Sequence, residues 1–412
     1  MTQNRCRGCN DLGPEEMLKF RLAESVFIDT ALKWGYEEVR TPILEYLNLF
    51  TSAGTLTPGM LRQVYSFLDW DGWSGERVVM RPDGTIPLAR YFVDNLADRD
   101  VVRLFYVVNV FRFKENPEEK RERWQCGAEL IGANSGLADA ELVRMSVESL
   151  ELLGIGTVIK LSHSGFIQAV LAQLEPNPEA RHQLFDEILD GNATTLNSLK
   201  ARCPELTAGL EMMLNVTGSS ADYVANVKAL FGKTSELDEA CRSFQSTLNI
   251  LDSLDIEYVI DLAAGRGFEY YTGLIMHIFT NDILVGGGGR YDNLVGQMGG
   301  DARPAAGFAL YMDEIMDFID YDVYALDEPD RFLLTFEAGN EAQAFAVATD
   351  LRDAGYTAEI KLGDPDTMMY DWVLGINDGG TLLMTDTETE EEFEFETVEE
   401  LIEMLGGEAS EE

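Results

Sequence analysis

The chain has 412 residues, 46% hydrophobic and 10% aromatic, which suits two or three folded domains and excludes a disordered protein. Its formal net charge of −42 works against nucleic acid, which is bound through Lys and Arg displacing counterions, although a local basic groove can survive on an acidic protein. No apolar run approaches the roughly 20 residues that cross a bilayer, and the polar start Met1-Thr2-Gln3-Asn4 has no apolar signal core, so a soluble, cytoplasmic protein is expected.

Five scattered cysteines, Cys6, Cys9, Cys126, Cys203 and Cys241, do not make a disulfide framework. Cys6-Arg7-Gly8-Cys9 is a lone CxxC with no second pair and no nearby histidine, so it reads as two reduced thiols, and no metal is expected. Apolar spacing predicts a helix over 14–34 closed by Gly35, then a strand over 36–42 that stops at Pro42. Strands are expected at 64–68 and 78–82 around a turn at 69–75, and at 104–113 and 126–131 around the charged loop 114–123. A helix is expected over 138–153. Residues of about 165–250 change to helical periodicity and read as a helical insertion, after which β character returns at 258–262 and 274–279.

A last unit of about 330–405 starts with strand 332–336, helix 340–354 and strand 357–361, and continues with strands at 372–374 and 382–384. It is strongly acidic, with Arg331, Arg352 and Lys361 against more than twenty Asp and Glu. The run 388–396 reads as a solvated strand edge or loop, and 406–412 as an acidic, disordered tail. The core is expected to span 1–325.

Three segments carry chemistry: Arg81-Pro82-Asp83-Gly84-Thr85, Gly265-Arg266-Gly267-Phe268-Glu269-Tyr270-Tyr271-Thr272-Gly273, and Gly286-Gly287-Gly288-Gly289-Arg290-Tyr291-Asp292. A glycine run alone is usually a turn, and Pro-Asp-Gly alone a β-turn, but the ordered set is specific. With Phe111-Arg112-Phe113-Lys114 and Gln125-Cys126-Gly127-Ala128-Glu129, nearly the whole chain resembles the histidyl-tRNA synthetase family, and more closely its non-catalytic branch, the regulatory subunits of ATP phosphoribosyltransferase.

That resemblance implies an α+β fold: a class II aminoacyl-tRNA synthetase-like antiparallel sheet flanked by helices, with a helical insertion and a small C-terminal α/β domain resembling a shortened anticodon-binding domain. It also implies a histidine site. Asp83 and Thr85 would hold the amino group, as would Gln125, and an ammonium does want a carboxylate and neutral acceptors. Glu129 would take an imidazole nitrogen; four residues from Gln125 on a strand, it shares that residue's face. Arg112 matches an arginine that binds α-phosphate and the histidine carboxylate, and Arg266 one that assists adenylate formation. Tyr271 or Tyr270 would line the imidazole cavity. Alternation along a strand turns one of the two inward and leaves the other as packing.

The ATP side departs from the family pattern. Glu314 stands where an arginine holds the γ-phosphate, Tyr311 replaces a glycine that leaves room for adenine, and Lys114 replaces a glutamate that contacts adenine. Near a triphosphate, at about 4 Å and an effective dielectric near 20, losing one attraction and adding one repulsion are each worth roughly 4 kcal/mol. In the loop 114–123 four glutamates offset Lys114, Lys120, Arg121 and Arg123, so no net positive charge is expected there. The expectation is a protein with no catalytic residue and no cofactor. It would self-associate as a dimer, bind histidine and partner a short-form ATP phosphoribosyltransferase catalytic subunit. The alternative is an active histidine–tRNA ligase, which retained Arg112 and Arg266 keep open.

Overall fold

The computed structural model describes residues 5–52, 63–69, 75–116, 119–265, 271–320, 329–363, 365–377 and 380–408. The chain divides into two compact units, Met1–Ile319 and Asp320–Glu412.

The strands of the first unit are β1 (Glu37–Glu38), β2 (Leu44–Tyr46), β3 (Ser66–Leu68), β4 (Arg77–Met80), β5 (Val102–Phe111), β6 (Glu122–Ile131), β7 (Val158–His163), β8 (Tyr258–Ile260), β9 (Leu274–Thr280), β10 (Ile283–Arg290) and β11 (Ala305–Tyr311). Eight of them form one sheet in the order β1-β5-β6-β11-β10-β9-β7-β8, while β2-β4-β3 make a smaller one. Neighbours in the large sheet are antiparallel except the outer pairs β1/β5 and β7/β8.

Almost every residue of β5 is buried or half-buried, as expected of a strand covered on both faces. The helix Pro14–Lys33 covers part of it with Phe20, Ala23, Phe27 and Ala31, which recur at helical spacing. The Phe27 ring meets Phe105 edge-on at 6.1 Å and Phe308 at 6.3 Å. Gly35, at φ +79°, ends this helix, and the Tyr36 N–H returns to the Ala31 carbonyl at 3.0 Å.

The strand expected to run to Pro42 is shorter than its sequence suggests. β1 keeps two residues, and Val39 still donates to Phe105 O at 2.9 Å. Beyond it the Thr41 carbonyl is taken at 2.7 Å by the buried Arg81 guanidinium, and Pro42 has no N–H to continue a ladder. Between β7 and β8 the chain runs through the helices Ser164–Leu171, Pro178–Leu189, Ala193–Arg202, Pro204–Asn215, Ala221–Lys228 and Ser235–Ser253. The extended exception is a bridge between Gly218 and Ile260.

The glycines of β10 serve strand packing. A Cβ on Gly288 would lie 2.1 Å from the Gly307 carbonyl oxygen, and one on Gly286 would lie 2.9 Å from that of Ala309. The close approach that these glycines allow is an approach of β10 to β11, with Gly289 alone turned toward the Tyr271 ring.

In the second unit, β12 (Arg331–Phe336), β13 (Thr357–Ile360), β14 (Trp372–Ile376), β15 (Leu382–Asp386) and β16 (Glu392–Phe395) pair in the order β13-β12-β14-β15-β16. β12 lies parallel to β13 and β14, and the helix Glu341–Asp353 makes the crossover between β12 and β13. Phe332, Leu334, Val347, Leu351 and Leu374 fill its core. The acidic run ends as the edge strand β16, with Glu392 and Glu394 exposed and Phe393 and Phe395 half-buried, a pattern that blunts an open edge with charge. The last helix, Val398–Glu408, runs into the stretch expected to be tail, and 409–412 lie outside the described residues.

Phe27 is 2% exposed, so Phe27→Ala should lower the stability of the first unit by about 3–5 kcal/mol. Urea unfolding checks this; an unchanged transition would mean the helix Pro14–Lys33 does not hold the sheet.

Candidate ligand-binding site

The site begins with Arg81, 3% exposed at the end of β4. Its guanidinium donates to Asn109 O at 2.7 Å, Asn109 Oδ1 at 3.0 Å and Thr41 O at 2.7 Å. This fixes the turn Pro82-Asp83-Gly84 against β5. The Asp83 carboxylate then accepts the Ile86 N–H at 2.9 Å, in the first turn of the helix Thr85–Asn95. Arg112, just past β5, donates through Nε to the Pro82 carbonyl at 2.7 Å and so lies beside the same turn.

Glu129 is the centre of the arrangement. It sits on β6, 1% exposed, and its carboxyl takes the Thr85 hydroxyl on Oε1 at 2.7 Å and the Tyr291 hydroxyl on Oε2. The Tyr106 hydroxyl lies 3.5 Å from Oε1. Burial pushes the Glu129 carboxyl up to about 8, against the opposing hydrogen bonds from Tyr291 and Thr85.

Space for these groups comes from missing side chains. Gly307 pairs with Glu129 across the β6/β11 ladder, and a Cβ there would fall 1.7 Å from Glu129 Oε2. A Cβ on Gly127 would fall 2.2 Å from the Tyr106 ring.

Gln125, 8% exposed, is four residues before Glu129 on β6, in register with Tyr311. Tyr271 is half-buried and packs on the core that holds Tyr291 and Leu294. It precedes β9 instead of lying on a strand, so alternation does not set its direction. Burial raises its phenol first, and Tyr311, Asp83 and Glu129 push the same way while Arg112 opposes, which places it among those groups. The structure thus gathers Asp83, Thr85, Arg112, Gln125, Glu129 and Tyr271 in one neighbourhood. Arg266 and Tyr270 lie outside the described residues.

Two residues without an assigned role belong to the site. Tyr291 holds Glu129 and lies inside the glycine-rich motif, whose Tyr-Asp ending was its signal. Tyr106 sits in the apolar run of β5 and looked like core packing; a phenol in the middle of a buried strand needs a polar partner, and that was the available clue.

On the other side of Gln125, Glu314 lies in the short helix Met312–Ile315 after β11. Its Oε1 is 3.7 Å from Lys120 Nζ and 3.8 Å from Arg123. Asp313 accepts the Trp124 N–H at 2.7 Å, and its carbonyl accepts from Lys120 at 3.0 Å. The loop charges that cancel in the sequence are sorted in space. Arg112, Lys114, Lys120, Arg121 and Arg123 line a cavity of about 60 Å³ with Gln125 and Tyr311. Small-molecule pockets run to roughly 300–1,000 Å³, so this cavity is well below that range. At the N-terminus the Cys6 and Cys9 thiols are free, the first exposed and the second half-buried.

Residues 8–315 match the family model described as histidyl-tRNA synthetase. An ATP phosphoribosyltransferase regulatory subunit of Dehalococcoides mccartyi is 48% identical over 407 residues, covering 98% of each chain. A histidine–tRNA ligase of Methanosarcina acetivorans is 29% identical over 99% of each. Among solved structures, an ATP phosphoribosyltransferase regulatory subunit/histidyl-tRNA synthetase from Bacillus halodurans superposes with a TM-score of 0.79 at 21% identity, covering 92% of this chain and 100% of that one. The apo histidyl-tRNA synthetase of S. aureus gives 0.69 at 19%, covering 98% and 99%. These two establish the class II synthetase-like fold.

The raised Glu129 carboxyl has a consequence for stability. A free glutamate titrates near 4.3, so between about pH 4.5 and 8 the folded chain holds a proton that the unfolded chain has lost. Stability from this group is therefore full at the acid end of the window and falls as the pH rises through 8. Glu129→Gln should flatten that fall in urea unfolding across pH 5–9; an identical pH slope in both proteins would show that the carboxyl titrates normally. By sequence, by family model and by fold, the chain belongs to the histidyl-tRNA synthetase family, on its branch of ATP phosphoribosyltransferase regulatory subunits.

Proposed function

We propose that this chain is a non-catalytic regulatory subunit of ATP phosphoribosyltransferase that binds histidine in the Glu129 pocket and acts on a separate, short-form catalytic subunit in the cytoplasm. The observation that carries the reading is the contrast on either side of Gln125. One side keeps Asp83, Thr85, Glu129, Tyr271 and Tyr291 together, while on the other Glu314 pairs with Lys120 and Arg123 beside a cavity of about 60 Å³. In this reading a histidine site beside so small a cationic cavity senses histidine and does not activate it.

In this reading Asp83 pairs with the ligand ammonium, and Arg112 takes the carboxylate with the terminal nitrogens that its bond to Pro82 leaves over. Glu129 meets the imidazole. With its carboxyl raised to about 8, the empty pocket carries one proton at neutral pH, and this proton is shared with the incoming ring nitrogen. Histidine affinity should fall above about pH 8, where neither partner holds that proton. The acidic second unit and the loop 114–123, which has no net charge, give tRNA little to hold, and the chain is expected to self-associate as a dimer, as class II synthetases do. Among the described residues no helix is long and apolar enough to cross a membrane.

Three measurements test this. Histidine-dependent ATP–pyrophosphate exchange should stay at background, and clear exchange would establish a ligase instead. A short-form catalytic subunit should co-purify with this chain and turn over faster in its presence; no complex and no change in rate would contradict the regulatory role. Glu129→Ala should cost about 2–3 kcal/mol of histidine binding, a loss of roughly thirtyfold or more by calorimetry. Equal affinity in wild type and variant would mean the pocket is vestigial.

A further inference from the structure

A second cleft, of about 510 Å³, opens between the helices Ser164–Leu171 and Ser235–Ser253 and plays no part in the site described above. Its size is that of a small-molecule pocket. The two helices leave room for it by keeping facing positions small. Gly165 and Ala169 line it from the first helix, and Ala240 lines it from the second, on the same helical face as Glu236, Glu239 and Ser243.

At its floor stands His163, 3% exposed. The ring Nδ1 accepts the Phe166 N–H at 3.2 Å, which puts the proton of the neutral imidazole on Nε2. Burial, and secondarily the Arg290 charge, hold the ring neutral by pushing it down to about 4. That Nε2–H has no partner among the described residues. A buried donor left unpaired is costly, and in native proteins such a group usually has one.

The rim offers the opposite chemistry. Both cations that line the cleft are engaged, Arg290 through all three of its guanidinium nitrogens and Arg181 through two. Arg290 gives Nε and Nη2 to Asp139 at 3.0 and 2.7 Å, and Nη1 to Ala133 O and Asp292. Arg181 gives Nε and Nη2 to the carbonyls of Glu175 and Pro176, both at 2.9 Å. Glu236 is exposed and takes the neighbouring Ser235 hydroxyl at 3.1 Å. Gln168 and Gln173, which also line the cleft, use their amide nitrogens on Ser164 and Ala169. The exposed Glu239 carboxylate stands one helical turn along from Glu236.

We propose that this cleft binds a small zwitterion, its ammonium held at the rim by Glu236 and Glu239 and its oxygen acceptor bonded to His163 Nε2–H at the floor. The site is separate from the Glu129 pocket but backs onto it. Tyr271 and Tyr291 belong to that pocket, and the adjoining Thr272, Arg290 and Asp292 line this cleft, tied together by the Thr272 N–H to Arg290 O at 2.6 Å and the Asp292 N–H to Thr272 Oγ1 at 3.0 Å.

With only three histidines, His163, His182 and His277, the full chain labelled with nitrogen-15 in its imidazoles gives few signals, and His163→Gln assigns the one that matters. The probes are the protein amino acids other than histidine, with ethanolamine and acetate as single-charge controls, added without histidine so that the Glu129 pocket stays empty. At least one zwitterion should move the His163 Nε2 signal saturably, and each control should do so more weakly. In the double variant Glu236→Gln, Glu239→Gln, two exposed positions, its midpoint should rise by at least about tenfold. No saturable shift with any probe would mean that the cleft holds water only and would overturn the proposal. So would a shift produced as well by acetate alone, or one that the double variant leaves unchanged. None of these outcomes depends on whether the Glu129 pocket binds histidine.

Discussion

A carboxyl group inside a large sheet is tolerated only where its oxygens are given partners, and Glu129 sets that requirement for this fold. Thr85 must reach it from the start of a helix, Tyr291 from the end of β10 and Tyr106 from β5. Those three elements are far apart in the chain and are brought together by the order β5-β6-β11-β10. The requirement extends to the residues that are absent: Gly307 faces the carboxyl across the ladder, and Gly127 leaves room for the Tyr106 ring. Arg81, buried and bonded to Thr41 and Asn109, holds the turn that delivers Asp83 and Thr85. The cluster around Glu129 is thus part of the core.

The neighbouring cationic cavity follows a different rule. Five basic side chains converge there in a protein whose overall charge is strongly negative. Their mutual repulsion needs an anion, and Glu314 provides one from within the chain, through ion pairs that are long and half-buried. Burial raises the Glu314 carboxyl while Lys120 and Arg123 pull it down. An internal carboxylate of this kind stabilises the closed arrangement and competes with any phosphate that would enter it. The same residue neutralises part of the charge that Lys120 and Arg123 bring to the cavity.

How much of this was legible in the sequence depends on the kind of information involved. Helix 14–34, the strand pairs around 104–131 and the helical insertion follow from local periodicity and appear close to where it puts them. Asp83, Thr85 and Glu129 were legible only through the family motifs, because no spacing rule links Thr85 to a carboxylate 44 residues away. Tyr106 was hidden by its apolar neighbours. Tyr291 stood in plain view within a motif whose glycines drew the attention, and those glycines turned out to serve strand packing. The loop 114–123 misled because a sum of charges has no direction: its cations face one cavity, while Glu119 and Glu122 turn to Lys114 and Asn109. The strand toward Pro42 fell short because Arg81 takes a carbonyl that a ladder would have used.

The central claim is that histidine control runs through Glu129. Its most direct test is the inhibition by histidine of the reconstituted complex between this chain and a short-form catalytic subunit, compared for wild type and Glu129→Ala. The account predicts that the variant complex needs on the order of thirtyfold more histidine for half-inhibition. Half-inhibition at the same histidine concentration in both complexes would contradict it, and would place histidine control in the catalytic partner alone.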